Sequence, residues 1–383
     1  MRRDIFGEEH ELFRAQLRRF VEAEVVPRIA GWNANGICDR ETWRRMGEAG
    51  FLGVNAPEEY GGAGESFLYS AIVIEELAFA RAHALQSYLH SDICMPYLTR
   101  FGTEAQKRKY LPGAIAGEII LAIAMSEPAA GSDLQAIQTT ALRDGDEYVI
   151  DGSKTFISNG QLSDLVVVVA RTDPAADPPH RGISLLLVER GAPGFERGRK
   201  LDKLGLKGQD TSELFFRNCR VPVGNVLGGV EGAGFKQLMD NLQQERLCIA
   251  IGAVASMRRS LEDTLAYVKE RRAFGQPIAS FQNTQFRLAE LATEVEAGQA
   301  LVDRVLVAHT RGEELVMEVS MAKWWTTDLQ KRLTSQCLQL HGGYGFMTEY
   351  PISGDYADAA VQPIYAGSNE IMKVIIARRL GLG

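Results

Sequence analysis

Hydrophobic and polar positions change rhythm twice along the chain. In the first 115 or so residues, apolar side chains recur at helical steps. Leu12, Phe13, Leu17, Phe20, Val21 and Val25 read as one helix face, with Pro27 near its end. "RETWRRMGEAG" predicts a second helix stopped by Gly50. The loop-forming "APEEYGGAGES" follows, and then "FLYSAIVIEELAFA" and "TEAQKRKYLPGAIAG" resume helical character. From residue 118 the texture shifts to short runs rich in Val, Ile, Leu and Phe: "IILAIAM", "EYVIDGSKTFIS", "LVVVVAR", "GISLLLVER" and "SELFFRN". Gly, Asp, Asn and Pro separate them, which predicts a β domain, barrel-like or made of two packed sheets. Three long helical stretches come next, around "NLQQERLCIAIGAV", "TQFRLAELATEVEAGQALVDRVLVAHTRGEE" and "VSMAKWWTTDLQKRLTSQCLQLHGG", the last stopped by Gly342-Gly343. The expected fold class is α+β in three parts: a helical domain over 1–117, a β domain over 118–228 and a helical bundle over 229–383.

Composition narrows the function. A formal charge of −7 argues against a general nucleic-acid binder, although a local Arg cluster can still hold a small anion. The longest apolar runs are far too short to span a bilayer, so no transmembrane segment is expected. The charged, Glu-rich "MRRDIFGEEHELFRAQLRRF" carries neither a secretion signal nor the pattern of a mitochondrial presequence. Five scattered cysteines without a Cys-x-x-Cys pair, and histidines without His-x-x-x-His spacing, predict neither a metal site nor disulfides. The cytoplasm is the expected compartment.

Taken singly, the local motifs are weak. "SEPAAGSD" reads equally as a strand-ending loop and as a close approach of backbone to a ligand. In "KTFISNG", Phe156 serves equally as core. "RRAFGQPIASFQNTQ" joins a cationic pair to a helix start, and the structural reading, cations at a helix C-terminus, is a serious one. No Walker loop and no strand-GxGxxG-helix unit occurs, which disfavours a nicotinamide Rossmann enzyme. In "QPIYAGSNEIMK", the turn before the last helix leaves backbone N–H groups free for a ligand, yet Ala366 has no side chain for proton chemistry.

Order and spacing make these pieces a set. "MSEPAAGSDLQ", "GSKTFISNG", "RRAFGQPI", "LQLHGGYGF" and "YPISGDYADAAVQPIYAGSNEIMK" resemble, in sequence order and over nearly the whole chain, the blocks of the acyl-CoA dehydrogenase family. The resemblance implies that family's architecture, with a C-terminal four-helix bundle, and FAD held between the β domain and the bundle of a homotetramer or homodimer. It implies that Ile123, Met125, Ser126, Gly131 and Ser132 line the flavin. Phe156 would cover one ring face, with Ile157 beside it and Ser158 reaching toward N5. Arg271, Ala273, Phe281 and Gln282 would hold the pyrophosphate and adenosine. Gln339, Leu340, His341, Gly342 and Gly343 would come from a neighbouring subunit, and Ser368, Asn369 and Glu370 would touch the cofactor.

The family removes an α proton and a β hydride from an acyl thioester, giving a trans-2-enoyl product, and many members carry their base where this chain has Ala366. The long-chain and isovaleryl branches place that Glu on the helix after the β domain, immediately before an Arg. "QQERLCIA" supplies Glu245 and Arg246 there. By this resemblance Glu245 is the expected base, and Ser132, Gln243, Gln244, Arg246, Ala366 and Gly367 lie near the substrate, with the Ala366 N–H as a thioester-oxygen donor. A lone Glu on an amphipathic helix otherwise reads as solvated surface. The "QERL" string, "LHSDICMPYLTRFG" and "KLGLKGQDTSELFF" look most like the long-chain branch. The expected acceptor is an electron-transfer flavoprotein. A branched or carrier-protein-bound thioester, and a catalytically silent structural subunit, are the alternatives.

Overall fold

The computed structural model describes residues 3–382. The N-terminal part is helical: α1 (Glu8–Phe20), α2 (Ile29–Asn35), α3 (Arg40–Glu48), α4 (Phe67–Phe79), α5 (Met95–Phe101) and α6 (Glu104–Ile115). Leu17, Val21 and Val25 are buried as their spacing predicts, the last two in a wider π-type turn continuing α1. Leu12 instead is 67% exposed. It sits five residues before Leu17, about 140° around the helix from it, outside the buried stripe. Asp39 caps α3 by accepting from the Thr42 N–H at 2.8 Å, and Gly50, at φ 75°, follows its end.

Seven strands form one hydrogen-bonded network: β1 (Leu121–Ala124), β2 (Thr140–Asp144), β3 (Glu147–Ser158), β4 (Leu165–Arg171), β5 (Ile183–Glu189), β6 (Phe195–Lys200) and β7 (Thr211–Pro222). Their order is β1-β4-β2-β3-β7-β6, with β5 also pairing β4. A single residue pair, Thr140 opposite Arg171, joins the β1-β4-β5 group to the β2-β3-β7-β6 group. On β4, Leu165, Val167 and Val169 face a cluster shared with Tyr97, Leu98 and Leu111, while Val166, Val168 and Ala170 face Tyr148, Ile150 and Phe216. Both faces are covered, which is why the run shows no polar alternation. Leu185 on β5 is buried in the first of these clusters, and Leu185→Ala is expected to cost about 2–5 kcal/mol in a denaturant titration.

The C-terminal part is built on α7 (Gly234–Glu270), α8 (Gln282–Thr310) and α9 (Val316–His341), followed by α10 (Pro351–Ala359) and α11 (Asn369–Arg379). Leu247, Ile251 and Val254 of α7, Leu291, Val295 and Val302 of α8, and Val319, Leu329 and Leu333 of α9 share one core. With α11 against α9 they make the four-helix bundle. Helix α7 stops at Glu270, so Arg271 opens a small hairpin of β8 (Arg272–Ala273) and β9 (Gln276–Pro277). Phe274 and Gly275, both at positive φ, turn that hairpin. All five cysteines are free and buried.

Candidate active site

Three pieces of the molecule place the residues singled out above. In the first, the loop after β1 is stitched to β3. The Thr155 N–H donates to Ser126 O at 2.9 Å, and the Lys154 ammonium donates to Met125 O at 3.1 Å and to Glu127 Oε1 at 2.7 Å. Glu127 also accepts from the Gln138 and Thr139 N–H groups. Burial alone would raise the Glu127 carboxyl, but Lys154 and these amides draw it below its usual range, while burial pushes Lys154 down to about 8. Ile123, Met125, Ser126, Gly131, Ser132 and Ser158 keep accessible surface along this edge. The β3–β7 register shifts between Lys154 and Ile157. Phe156 sits in that irregularity at φ 61° and is 69% exposed. A strained backbone presenting an uncovered aromatic ring suits a flat apolar ligand. The Ile157 side chain points the other way, into the sheet core, leaving only its backbone for a ligand.

The second piece is an open cavity of about 450 Å³ lined by Tyr267, Arg271, Ile278, residues 339–344 and Met347. It brings Arg271 and Gln339–Gly343 together within one chain. Tyr267 stacks on His341 at 4.2 Å and donates to the His341 carbonyl, and the Arg271 guanidinium lies over the Tyr344 ring. A Cβ built on Gly342 or Gly343 would meet nothing within 4 Å, so this backbone is open to close approach. A cation beside bare backbone fits a pyrophosphate. Ala273, Phe281 and Gln282 follow on the adjoining hairpin and helix start, partly or fully exposed.

The third piece is the turn before α11, where Ala366 and Gly367 both have positive φ. Tyr365 N donates to Val361 O and Asn369 N to Pro363 O, but among the described residues none accepts from the amides of Ala366, Gly367 or Ser368. Lys323, fully buried on α9, holds the turn from behind, donating to Gly367 O at 2.8 Å and Asn369 Oδ1 at 3.1 Å. The Asn369 side chain is thus used internally, its amide donating to Trp324 O. The Ser368 hydroxyl caps α11, and Glu370 is exposed. A Cβ on Gly367 would meet Met372 Cε at 2.9 Å, and would lie 3.8 Å from Arg246 Nη2. Arg246 therefore reaches this turn, and its Nε is buried with no hydrogen-bond partner among the described residues.

Glu245, next to it on α7, is 4% exposed, not solvated. Its Oε1 accepts from the Tyr97 hydroxyl at 2.7 Å and from Asn241 Nδ2 at 3.1 Å. Burial raises the carboxyl to about 6, against the pull of those two donors and of Arg246. The neighbouring glutamines serve packing: Gln243 accepts from the Leu315 N–H, while Gln244 bonds the Asp92 carbonyl and His309. Sequence reading missed Tyr97, Asn241, Lys323 and the Lys154–Glu127 pair. Asn241 was findable, lying one turn before Glu245 on the same face. Tyr97 and Lys323 come from other elements and leave no local signal.

Comparison with known proteins covers nearly the whole chain. The family models described as acyl-CoA dehydrogenase N-terminal, middle and C-terminal domains match residues 7–118, 122–219 and 232–381. The chain is 48% identical over 378 residues to the mitochondrial long-chain specific acyl-CoA dehydrogenase of Mus musculus, covering 99% of this chain and 88% of that one. It is 37% identical over 375 residues to the mitochondrial isovaleryl-CoA dehydrogenase of Pongo abelii, covering 97% and 88%. The crystal structure of an acyl-CoA dehydrogenase from Geobacillus kaustophilus, 52% identical, superposes with a TM-score of 0.98 and covers 99% of this chain and 100% of that one. About half of the residues, and the course of the backbone over 99% of the chain, are thus shared, and the chain belongs to the acyl-CoA dehydrogenase family, flavoprotein oxidoreductases acting on CH–CH groups.

Proposed function

We propose that this protein is an FAD-dependent dehydrogenase of long-chain acyl-CoA thioesters, with Glu245 as the base that removes the α proton. The observation that carries the reading is the buried Glu245 carboxyl, raised to about 6 and adjoined by an arginine that reaches the 366–369 turn. Buried near neutrality, such a group is a carboxylate at pH 7 and close enough to neutrality to accept a proton. The turn contributes unbonded amides, of which the Ala366 N–H is the proposed donor to the thioester oxygen as negative charge develops there. Arg246 places positive charge beside that same turn, while Lys323 behind it, held down to about 7 by burial and by Arg246, is only partly charged near neutral pH. The edge around Met125, Ser126, Phe156 and Ser158 would hold the isoalloxazine. Arg271 would hold the phosphates, with the open Gly342-Gly343 backbone of a neighbouring subunit completing the site. The flavin, when bound, supplies the acceptor for the β hydride.

Long-chain preference rests on the relatives named above and on the match of residues 89–102 and 203–216 to that branch. Anaerobic titration with straight and branched acyl-CoAs of increasing length, and with carrier-protein thioesters, tests it. Fastest flavin bleaching by long straight chains is expected. Best bleaching by a short branched chain would transfer the reading to an isovaleryl-like substrate, and none with any thioester would leave a silent subunit. An electron-transfer flavoprotein is the proposed acceptor. Phe274 and Phe346, 95% and 80% exposed, fit burial in a homotetramer, which light scattering reads directly. Five free cysteines fit the cytoplasm as the proposed compartment. No helix among the described residues is long and apolar enough to cross a membrane.

A further inference from the structure

The hydrogen bonds around Glu245 are one-sided. Both donors, the Tyr97 hydroxyl and Asn241 Nδ2, converge on Oε1, and among the described residues none donates to Oε2. Asn241 is itself pinned, since Nδ2 also donates to the Ile93 carbonyl at 3.0 Å. Tyr97 arrives from a different part of the fold. It is fully buried on α5, within the cluster that joins the N-terminal helices to the sheet, whereas Glu245 belongs to the bundle. Burial and the adjacent Glu245 raise the Tyr97 phenol well above its usual range, so it remains a donor.

We propose that Tyr97 is a positioning residue for the base: its hydroxyl, with the Asn241 amide, fixes one carboxylate oxygen of Glu245 and leaves the other to take the proton. This rests on the reading of Glu245 as base. Its physical content is twofold. Two bonds at one oxygen set the direction of the carboxylate before substrate arrives. They also favour the ionised form against the cost of burial, and a hydrogen bond to a charged group is among the stronger ones.

Other groups facing Glu245 are accounted for. The Cys94 and Cys248 thiols are pushed well up by burial and stay neutral. Arg246 remains a cation beside it. Asp92, one turn from Tyr88 and close to Cys248, is raised to about 7 by burial, and Lys323 near Arg246 is lowered to about 7. These last two titrate in the working range. They are common to wild type and variant, so only the difference between the two reports on Tyr97.

The variant is Tyr97→Phe in the FAD-loaded protein, which keeps the ring and removes the hydroxyl. Difference infrared spectroscopy against Glu245→Gln follows the Glu245 carboxyl through pH without reference to turnover. Stopped-flow bleaching by acyl-CoA is recorded over the same range. The expected result is a rise of about one pH unit in the Glu245 midpoint. The acid limb of the bleaching rate moves up with it, and the wild-type rate returns at higher pH. An unmoved midpoint overturns the proposal. So does a rate lowered equally at every pH, which would mark a merely structural tyrosine. A raised midpoint with an unshifted bleaching profile would keep the hydrogen bond but remove Glu245 from the chemistry, separating the two failures.

Discussion

Glu245→Gln is expected to leave FAD bound and to slow flavin bleaching by acyl-CoA about 10³–10⁴-fold. The amide is close in volume to the carboxylate, so the fold should persist. It cannot take the α proton. An independent reading comes from deuterium exchange at the α carbon of a bound thioester in heavy water, which asks only for proton removal and should vanish in the variant. In the wild type, bleaching should fall as pH drops through about 6, because protonation of the buried carboxyl removes the base. The sign is fixed by its chemistry: the active form is the ionised one, present above that value. Undiminished bleaching and exchange in Glu245→Gln would reject this assignment.

Lys154→Met should have a comparably large effect at a different level, on cofactor retention and stability. The ammonium is fully buried and bridges Glu127 Oε1 and the Met125 carbonyl, which tie the loop after β1 to β3. Removing it leaves the Glu127 carboxylate inside the protein without its cation, and losing one partner of such a pair costs about 3–5 kcal/mol. Thermal unfolding should shift down accordingly, and the purified protein should carry less than stoichiometric flavin by absorbance. Lys154→Met with Glu127→Gln should recover part of the stability, since no charge is then stranded. Full flavin occupancy and unchanged unfolding in the single variant would show that the pair does not support the loop.

What the sequence disclosed follows from how each part is buried. Strand β4 was legible because its Val run is covered on both faces. The long helices α7, α8 and α9 were legible because each keeps an apolar stripe toward one shared core. Strands β2 and β6 escaped notice: "TALRD" and "FERGRK" are largely exposed, and nothing in their polarity alternates. Leu12 was misplaced because spacing of three or four was read without following the angle around the helix. At the site, Glu245 was legible through a resemblance in "QERL", but its partner Tyr97 lies 148 residues away. A contact made only by folding α5 against α7 has no trace in either segment alone.

The burial of every cysteine has a practical consequence. A maleimide reagent should label the native protein only as fast as the structure opens, turning alkylation into a clock for those openings. Cys38 and Cys219 would report on the helical domain and the sheet, while Cys94 and Cys248 flank Glu245. Protection of that last pair by a bound thioester, read peptide by peptide in a mass spectrometer, would measure how tightly the ligand closes the interior around the carboxyl.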